Sequence, residues 1–376
     1  MRIIILLLLL TFTSNLFAQN SDCSSTITGV IFCDDFDNNL PLASKYFEYN
    51  SNNNDFIVMD SVGRNGSKGM RVLWQKGEVG AGGLSKSFGK TPNTYIGKNA
   101  VMKDSSFKEI YWHLDVRHQK GWTGGGPDKL TRALVLANSN WATGMMAHLW
   151  SGGKNNVYLG MDPASGVTVD GTLKTTKYND FDNLRWLGFK VGSIDMFSTE
   201  NSGRWFCVEG HVKLNTPGAN DGVFEFWVND TLQAGSYNLN WHSTWNNDKN
   251  NMNINAIFFE NYWNNGSSVQ QERYIDNLLI STKPIGSHET PLFIEEVKKE
   301  KELEIYPSQA NNGIIIFNPQ SLAIDKVEVY DMNGKSYSIE RQVDLLDISS
   351  LSKGRYFVKI ILYNGKEINS SFIKVN

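Results

Sequence analysis

Between Arg204 and Asp230 the chain alternates apolar and polar residues in two runs, separated by a loop rich in Pro, Gly, Asn and Asp. This pattern predicts a β-hairpin, because strand side chains point alternately to the two sides of a sheet and turn residues supply the reversal. Phe206, Val208, Val212 and Leu214 fall on one face and feed a core, which Phe224, Phe226 and Val228 continue on the return run. The opposite face carries Trp205, Cys207, Glu209, His211 and Lys213, with Glu225 and Trp227 beyond the turn. The same period governs Glu109 to Gln119: Ile110, Trp112, Leu114 and Val116 lie on one side, and Tyr111, His113, Asp115 and Arg117 on the other. Gly144 to Trp150 brings Met146, His148 and Trp150 together. Met70 to Trp74, Leu130 to Leu136 and Arg273 to Thr282 read as further strands, and Ile254 to Phe259, apolar on both faces, as a central one. Many short strands with turn clusters between them predict an all-β fold, a sandwich of two antiparallel sheets in which helices are incidental.

Two stretches break the pattern. Met1 to Ala18 has Arg2, an apolar run from Ile3 to Leu10 and a small-residue cleavage site ending at Ala18, which reads as a secretory signal peptide. Its apolar run is too short to span a bilayer and no later stretch is long enough, so no transmembrane segment is expected. Lys283 to Leu303 holds Pro284, Gly286 and Pro291, then a charge run from Glu295 to Glu302, and reads as a solvated linker. The expected division is a signal at 1–18, a large β domain at 19–282, a linker at 283–302 and a small β domain at 303–376. The length of 376 residues accommodates both. With a net charge of −3 there is no basic excess to neutralise phosphates, which argues against nucleic acid as a partner. The loop from Gly121 to Pro127 is not a phosphate loop, since no Lys-Ser/Thr and no helix follow it. Cys23 and Cys33 can close a short loop in an oxidising compartment, while mid-strand Cys207 reads as buried and inert; no CxxC or HExxH spacing points to zinc.

The small domain carries a resemblance. Leu303 to Pro307, Gly313 to Phe317, Val327 to Lys335, Asp347 to Leu351, Gly354 to Tyr356 and the terminal Phe372 to Lys374 resemble the C-terminal sorting domain of the type IX secretion system. Pro307-Ser308-Gln309 departs from the Pro-Asn-Pro usual in that family. The resemblance implies passage through the periplasm, the secretion machinery as a partner, and a secreted or surface destination.

The large domain, from about Val30 to Thr282, resembles the concanavalin A-like jelly-roll group of polysaccharide lyases. Its likenesses are the glucuronan and alginate lyase branches and the related fungal cellulose-induced proteins. Four pieces carry it: Asp34 to Asp37; Gly66 to Val72; Cys207 to His211 with the return strand Asp221 to Asn229; and Asp276. The resemblance implies a calcium ion held by Asp37, Asn65, the Lys68 carbonyl and Asp276, hard oxygen donors that suit it. It also implies β-elimination on a uronic-acid polysaccharide. Such a lyase must neutralise the substrate carboxylate, remove the neighbouring proton and protonate the leaving oxygen. Arg117 and Arg132 are the candidate neutralisers, His148 and His211 the bases and Tyr262 the acid, on strands that can line one concave sheet. Glu209, Lys213, Trp205 and Trp150 are candidate sugar contacts. Hydrolysis by a Glu-x-Asp-x-Glu strand has no support, because the equivalent spacing reads Glu209, His211 and Lys213. Carbohydrate binding without catalysis stands as the alternative, given the many indoles available for stacking on sugar rings.

Overall fold

The computed structural model describes Cys23 and residues 28–246, 252–286, 304–306, 309–317, 323–342, 345–363 and 366–375. The segment read as a signal peptide and most of the linker lie outside the described residues. The chain divides into two compact units, Met1–His288 and Glu289–Asn376.

The first unit is built from short strands. In chain order they are β1 (Val30–Asp34), β2 (Glu48–Asn50), β3 (Phe56–Met59), β4 (Gly69–Trp74), β5 (Gly80–Ser87) and β6 (Glu109–His118). Then come β7 (Asp128–Leu136), β8 (Thr143–Gly152), β9 (Tyr158–Ser165), β10 (Arg185–Trp186) and β11 (Lys190–Val191). The last are β12 (Trp205–Lys213), β13 (Gly222–Val228), β14 (Thr231–Leu239), β15 (Ala256–Trp263) and β16 (Gln271–Ser281). One antiparallel sheet runs β14-β13-β12-β6-β16-β4-β3, with β1 beside β16. The other runs β10-β9-β8-β7-β15-β5-β2, with β11 against β9. Sequence neighbours often lie in different sheets, as a jelly-roll sandwich requires. The hairpin expected at Arg204–Asp230 is β12 paired with β13, Val208 opposite Val228 and His211 opposite Glu225.

The core lies between the sheets. Ile110, Trp112, Leu114 and Val116 from β6 and Phe206, Val208 and Val212 from β12 join one cluster with Leu130, Ala133 and Val135 from β7 and Ile257 and Phe259 from β15. Each such side chain fully buried contributes about 1.5–3 kcal/mol. Gly210 interrupts β12 for a packing reason: a Cβ there would sit 2.4 Å from the Trp112 ring, so only glycine lets that indole lie against the strand. Charge also enters the core. Arg273 of β16 pairs with Asp128 of β7, with its guanidinium 4.9 Å from the Trp74 ring, and all three are buried. His118 Nε2 accepts from Arg273 Nε at 3.2 Å. Burial and the neighbouring guanidinium hold His118 well below the usual imidazole range, which leaves that nitrogen an acceptor.

Cys23 and Cys33 form a disulfide across a separation of 10 residues, and Cys207 is free and buried. The second unit has a four-stranded and a five-stranded sheet around a core that includes Ile314, Ile316, Val329, Leu346, Val358, Ile360 and Phe372. The strand Gly354–Leu362 shows its cause plainly, burying Tyr356, Val358, Ile360 and Leu362 in strict alternation.

Candidate functional site

The five residues proposed for catalysis do not share a sheet, which corrects the expectation that they line one face. Arg132 on β7, His148 on β8 and Tyr262 on β15 belong to the second sheet, together with Trp150. Arg117 on β6 and Trp205, Glu209, His211 and Lys213 on β12 belong to the first, on the far side of the core. Alternation set Arg117, Trp205, Glu209, His211 and Lys213 opposite the core face of their strands, but the outward faces of the two sheets look away from each other.

On the first sheet the ionisable groups satisfy one another. His211 Nδ1 meets Glu225 at 2.8 Å and Nε2 meets Glu109 at 2.9 Å, while its ring stacks on Tyr111 at 4.1 Å. With both nitrogens engaged, His211 is a cross-strand tie rather than a base. Glu209 accepts the backbone N–H groups of Ile285 and Gly286 at 3.0 and 2.7 Å, strapping the chain exit onto β12. Arg117 lies 4.9 Å from the Trp205 ring and 4.5 Å from Tyr274, and donates to the Val62 carbonyl at 3.1 Å. Lys213 is exposed at the end of its strand.

The second sheet gathers the other group. Register places Phe258, Arg132, His148 and Asp162 in one row across β15, β7, β8 and β9. Slips in register between Lys129 and Thr131 on β7 and between Phe259 and Tyr262 on β15 locally re-aim the strands, as bulges do beside sites. One end of this outward face is apolar, where Phe47, Ile96, Leu134, Leu136, Met146 and Phe258 cluster. The other end is polar: Lys129, Arg132, His148, Asp162, Glu260 and Tyr262. Beside it opens a cleft of about 340 Å³ whose lining includes Glu48, Trp141, Tyr178, Glu260 and Tyr262. Gly83 on β5 lies opposite Glu260, and the missing side chain keeps the cleft open there.

Within this patch the charges differ in their commitments. Arg132 is buried and its guanidinium donates to Glu260, the Tyr178 hydroxyl and Asn179 Oδ1. That removes it as a ready partner for a substrate carboxylate and makes it the clamp that holds Glu260 and Tyr178. Burial, then the Arg132 and Lys129 charges, push His148 well below the usual imidazole range, so it stands neutral. Its Nε2 lies 4.0 Å from Glu260 Oε2, and neither atom has a hydrogen-bond partner among the described residues. Lys129 holds its ammonium 4.4 Å over the Tyr262 ring, and burial depresses its pKa. Burial pushes Asp162 up to about 6. Trp150 stacks on His148 at 5.2 Å. Lys129, Asp162, Tyr178 and Glu260 were not among the residues singled out from sequence. Glu260 had a signal, standing where an apolar strand turns polar; Lys129 and Asp162 stand out only once the strands are paired.

Five of the 11 indoles are structural: Trp74, Trp112, Trp122, Trp241 and Trp263 are fully buried. Trp186, 47% exposed, stacks with the exposed Phe181 at 6.4 Å.

The loop before β4 fits the cation expected from sequence. Arg64 N and Ser67 Oγ donate to Asp276 Oδ2 at 2.7 and 3.0 Å, and Lys68 N donates to Asp37 Oδ1 at 2.9 Å. A Cβ on Gly63 would fall 2.1 Å from the Lys68 carbonyl oxygen and 2.7 Å from Asp276 Oδ2, so both oxygens face one small cradle. Asn65 shapes the loop with left-handed backbone, φ 56°. Asp276 is buried, its carboxyl pushed up to about 8 chiefly by burial, and among the described residues no cationic side chain is paired with it. A buried carboxylate beside an inward carbonyl, with oxygen donors only, matches the needs of a hard cation.

The comparisons with known proteins divide along the same line as the chain. Residues 304–374 match the family described as the secretion system C-terminal sorting domain. This is a type IX sorting domain, and it marks the protein as exported to the cell surface or the medium. No curated protein matches the chain. Among solved structures, it is similar to an endo-β-1,4-glucuronan lyase from the fungus Trichoderma reesei, with 12% identity and a TM-score of 0.46, covering 68% of this chain and 96% of that one. An alginate lyase from Chlorella virus shows 15% identity and a TM-score of 0.47, covering 68% and 100%. A cellulose-induced protein shows 16% identity and a TM-score of 0.36, covering 68% and 99%. At this level of similarity nothing about the site transfers, and its chemistry must come from its own geometry.

The sorting domain gives the first testable outcome. A chain ending after Gly286 keeps the strap on Glu209, and it should fold yet accumulate in the periplasm, measured by fractionation against the full-length protein. Efficient release of the truncated chain to the medium would remove the sorting role.

Proposed function

We propose that the polar end of the second sheet is a polysaccharide site, and that its chemistry is β-elimination on a uronic-acid-containing chain. The observation that carries this reading is a pair of buried atoms, His148 Nε2 and Glu260 Oε2, without a hydrogen-bond partner among the described residues, on the same face as the Lys129 ammonium. Buried polar atoms without partners cost free energy, so such a pair suits a polar ligand. In the proposed reaction Lys129 pairs with the substrate carboxylate and stabilises the charge that develops as the neighbouring proton leaves. Neutral His148 accepts that proton at Nε2, and the phenol of Tyr262, 44% exposed, protonates the departing glycosidic oxygen. Arg132 holds Glu260 and Tyr178 in place.

One observation favours binding without turnover: His148 is only 4% exposed, and both terminal nitrogens of Arg132 are engaged within the protein. A panel of acidic polysaccharides separates the readings, since elimination creates a ring double bond that absorbs in the near ultraviolet. Absorbance growing with time supports the lyase; retention on a polysaccharide gel without absorbance supports the binding protein; neither result would return this face to a structural role.

We further propose that calcium occupies the Asp37–Asp276 cradle, with Asp276, Asp37, the Lys68 carbonyl and Asn65 as its oxygen donors. The ion would tie the loop before β4 to β16 and to the segment after β1. Chelation should then lower the melting temperature, and calcium should restore it by mass action, by about 2.7 kcal/mol of stability at a hundredfold excess over Kd. Asp276→Ala should erase the difference. A melting curve indifferent to chelator would leave these residues as loop formers.

A further inference from the structure

The outward face of the first sheet holds a second constellation, next to the oxygen cradle, since Asp115 lies opposite Asp276 across β6 and β16. Strands β6 and β12 lie side by side with Cys207 opposite Asp115 and Glu209 opposite His113. His113, Asp115 and Cys207 therefore project from the same face, and all three are buried. Cys207 Sγ lies 3.5 Å from His113 Nδ1, and His113 Nε2 lies 3.6 Å from Asp115 Oδ1. One donor atom from each falls within 4.8 Å of the others. The strap held by Glu209 closes over them, with the Gly286 carbonyl 3.9 Å from the sulfur.

We propose that Cys207 and His113 supply ligands to a divalent metal of the zinc class, with Asp115 as the carboxylate that holds the histidine. The distances fit: with zinc–sulfur near 2.3 Å and zinc–nitrogen near 2.0–2.1 Å, a tetrahedral edge between the two donors spans about 3.5 Å. Sulfur and imidazole donors select zinc, cobalt or copper over calcium and magnesium, so this site and the oxygen cradle do not compete for one ion. Binding replaces the thiol proton of Cys207, released to solvent, and takes the lone pair of His113 Nδ1. The ring proton then resides on Nε2, toward Asp115. Asp115 is already fixed, accepting from Arg64 Nη1 at 2.7 Å and Asn277 Nδ2 at 2.8 Å. A carboxylate held in this way orients the histidine and raises its basicity, the arrangement seen behind many metal-bound imidazoles. The sealed position also accounts for a thiol that stays free in a chain whose other two cysteines are bonded.

The test uses the full-length protein with calcium saturating in every sample. Cobalt(II) serves as the probe, because a thiolate bound to it gives a charge-transfer band in the near ultraviolet. Cobalt is added to the folded protein and, separately, during refolding from denaturant, so that a sealed site can load. The expected result is one cobalt per chain with that band, displaced by zinc. Cys207→Ser, nearly equal in size to cysteine, should lose the band while keeping its wild-type circular dichroism. Asp115→Asn should keep the band but weaken affinity about 10- to 100-fold. No band under either loading condition, or an unchanged band in Cys207→Ser, overturns the site. Undiminished affinity in Asp115→Asn overturns the part given to Asp115.

Discussion

Asp128→Ala should destabilise the jelly-roll unit by about 3–5 kcal/mol, because it leaves the Arg273 guanidinium buried without its counter-charge. Arg273 is fully enclosed, with Trp74, Trp122 and Phe197 around it, so its guanidinium has no access to bulk water in place of the lost carboxylate. His118 cannot substitute, since it is a neutral acceptor and already engaged with Arg273 Nε. For a unit of this size the loss corresponds to a fall of roughly 6–20 °C in melting temperature. Tryptophan fluorescence reads this unit alone in the full-length chain, because all 11 tryptophans precede residue 264. Replacing both partners, Asp128→Leu with Arg273→Met, should recover most of the loss, since two apolar side chains leave no charge to solvate. If the single substitution costs under about 1 kcal/mol, the guanidinium is not dependent on Asp128 and the accounting of this core is wrong.

The second large effect concerns the proposed reaction. His148→Ala should lower turnover on a responsive polyuronate by about a hundredfold or more, the usual contribution of a positioned base. Lys129→Ala should act on the same step by removing the charge that stabilises the developing anion. The pH profile distinguishes His148 from an ordinary surface imidazole. Burial and the Arg132 and Lys129 charges disfavour its protonated form, so its pKa lies below the usual value of 6.5. The neutral base therefore persists as pH falls through 6.5, and the acid limb of kcat/KM attributable to it should begin lower. The same linkage has a stability side: the unfolded state binds this proton more readily, so this contribution is complete above the unfolded pKa and is lost as pH falls below it. His211→Ala should leave turnover unchanged while loosening the sheet, since its two nitrogens serve Glu109 and Glu225. Loss of turnover in His211→Ala with His148→Ala fully active would reverse the assignment.

The chain by itself determined the class of fold, because alternation at a period of two is a local property. β6, β12 and β13 bury the residues that alternation placed inward, and β15, apolar on both sides, is indeed flanked by β5 and β7. The sorting domain was equally legible, as its short motifs lie in one continuous stretch and match a family model there. Sheet membership was not legible. Whether the outward face of β12 meets that of β8 depends on which strands hydrogen-bond across long crossovers, and nothing in either strand encodes that. Tertiary structure therefore separated His211 from His148 by the whole core and gave each a different fate. It closed His211 between two carboxylates, and it left His148 neutral beside Glu260 and Lys129. The partners that set those fates, such as Glu109 for His211 and Glu260 for His148, lie 102 and 112 positions away in the chain, a separation across which electrostatics acts only after folding.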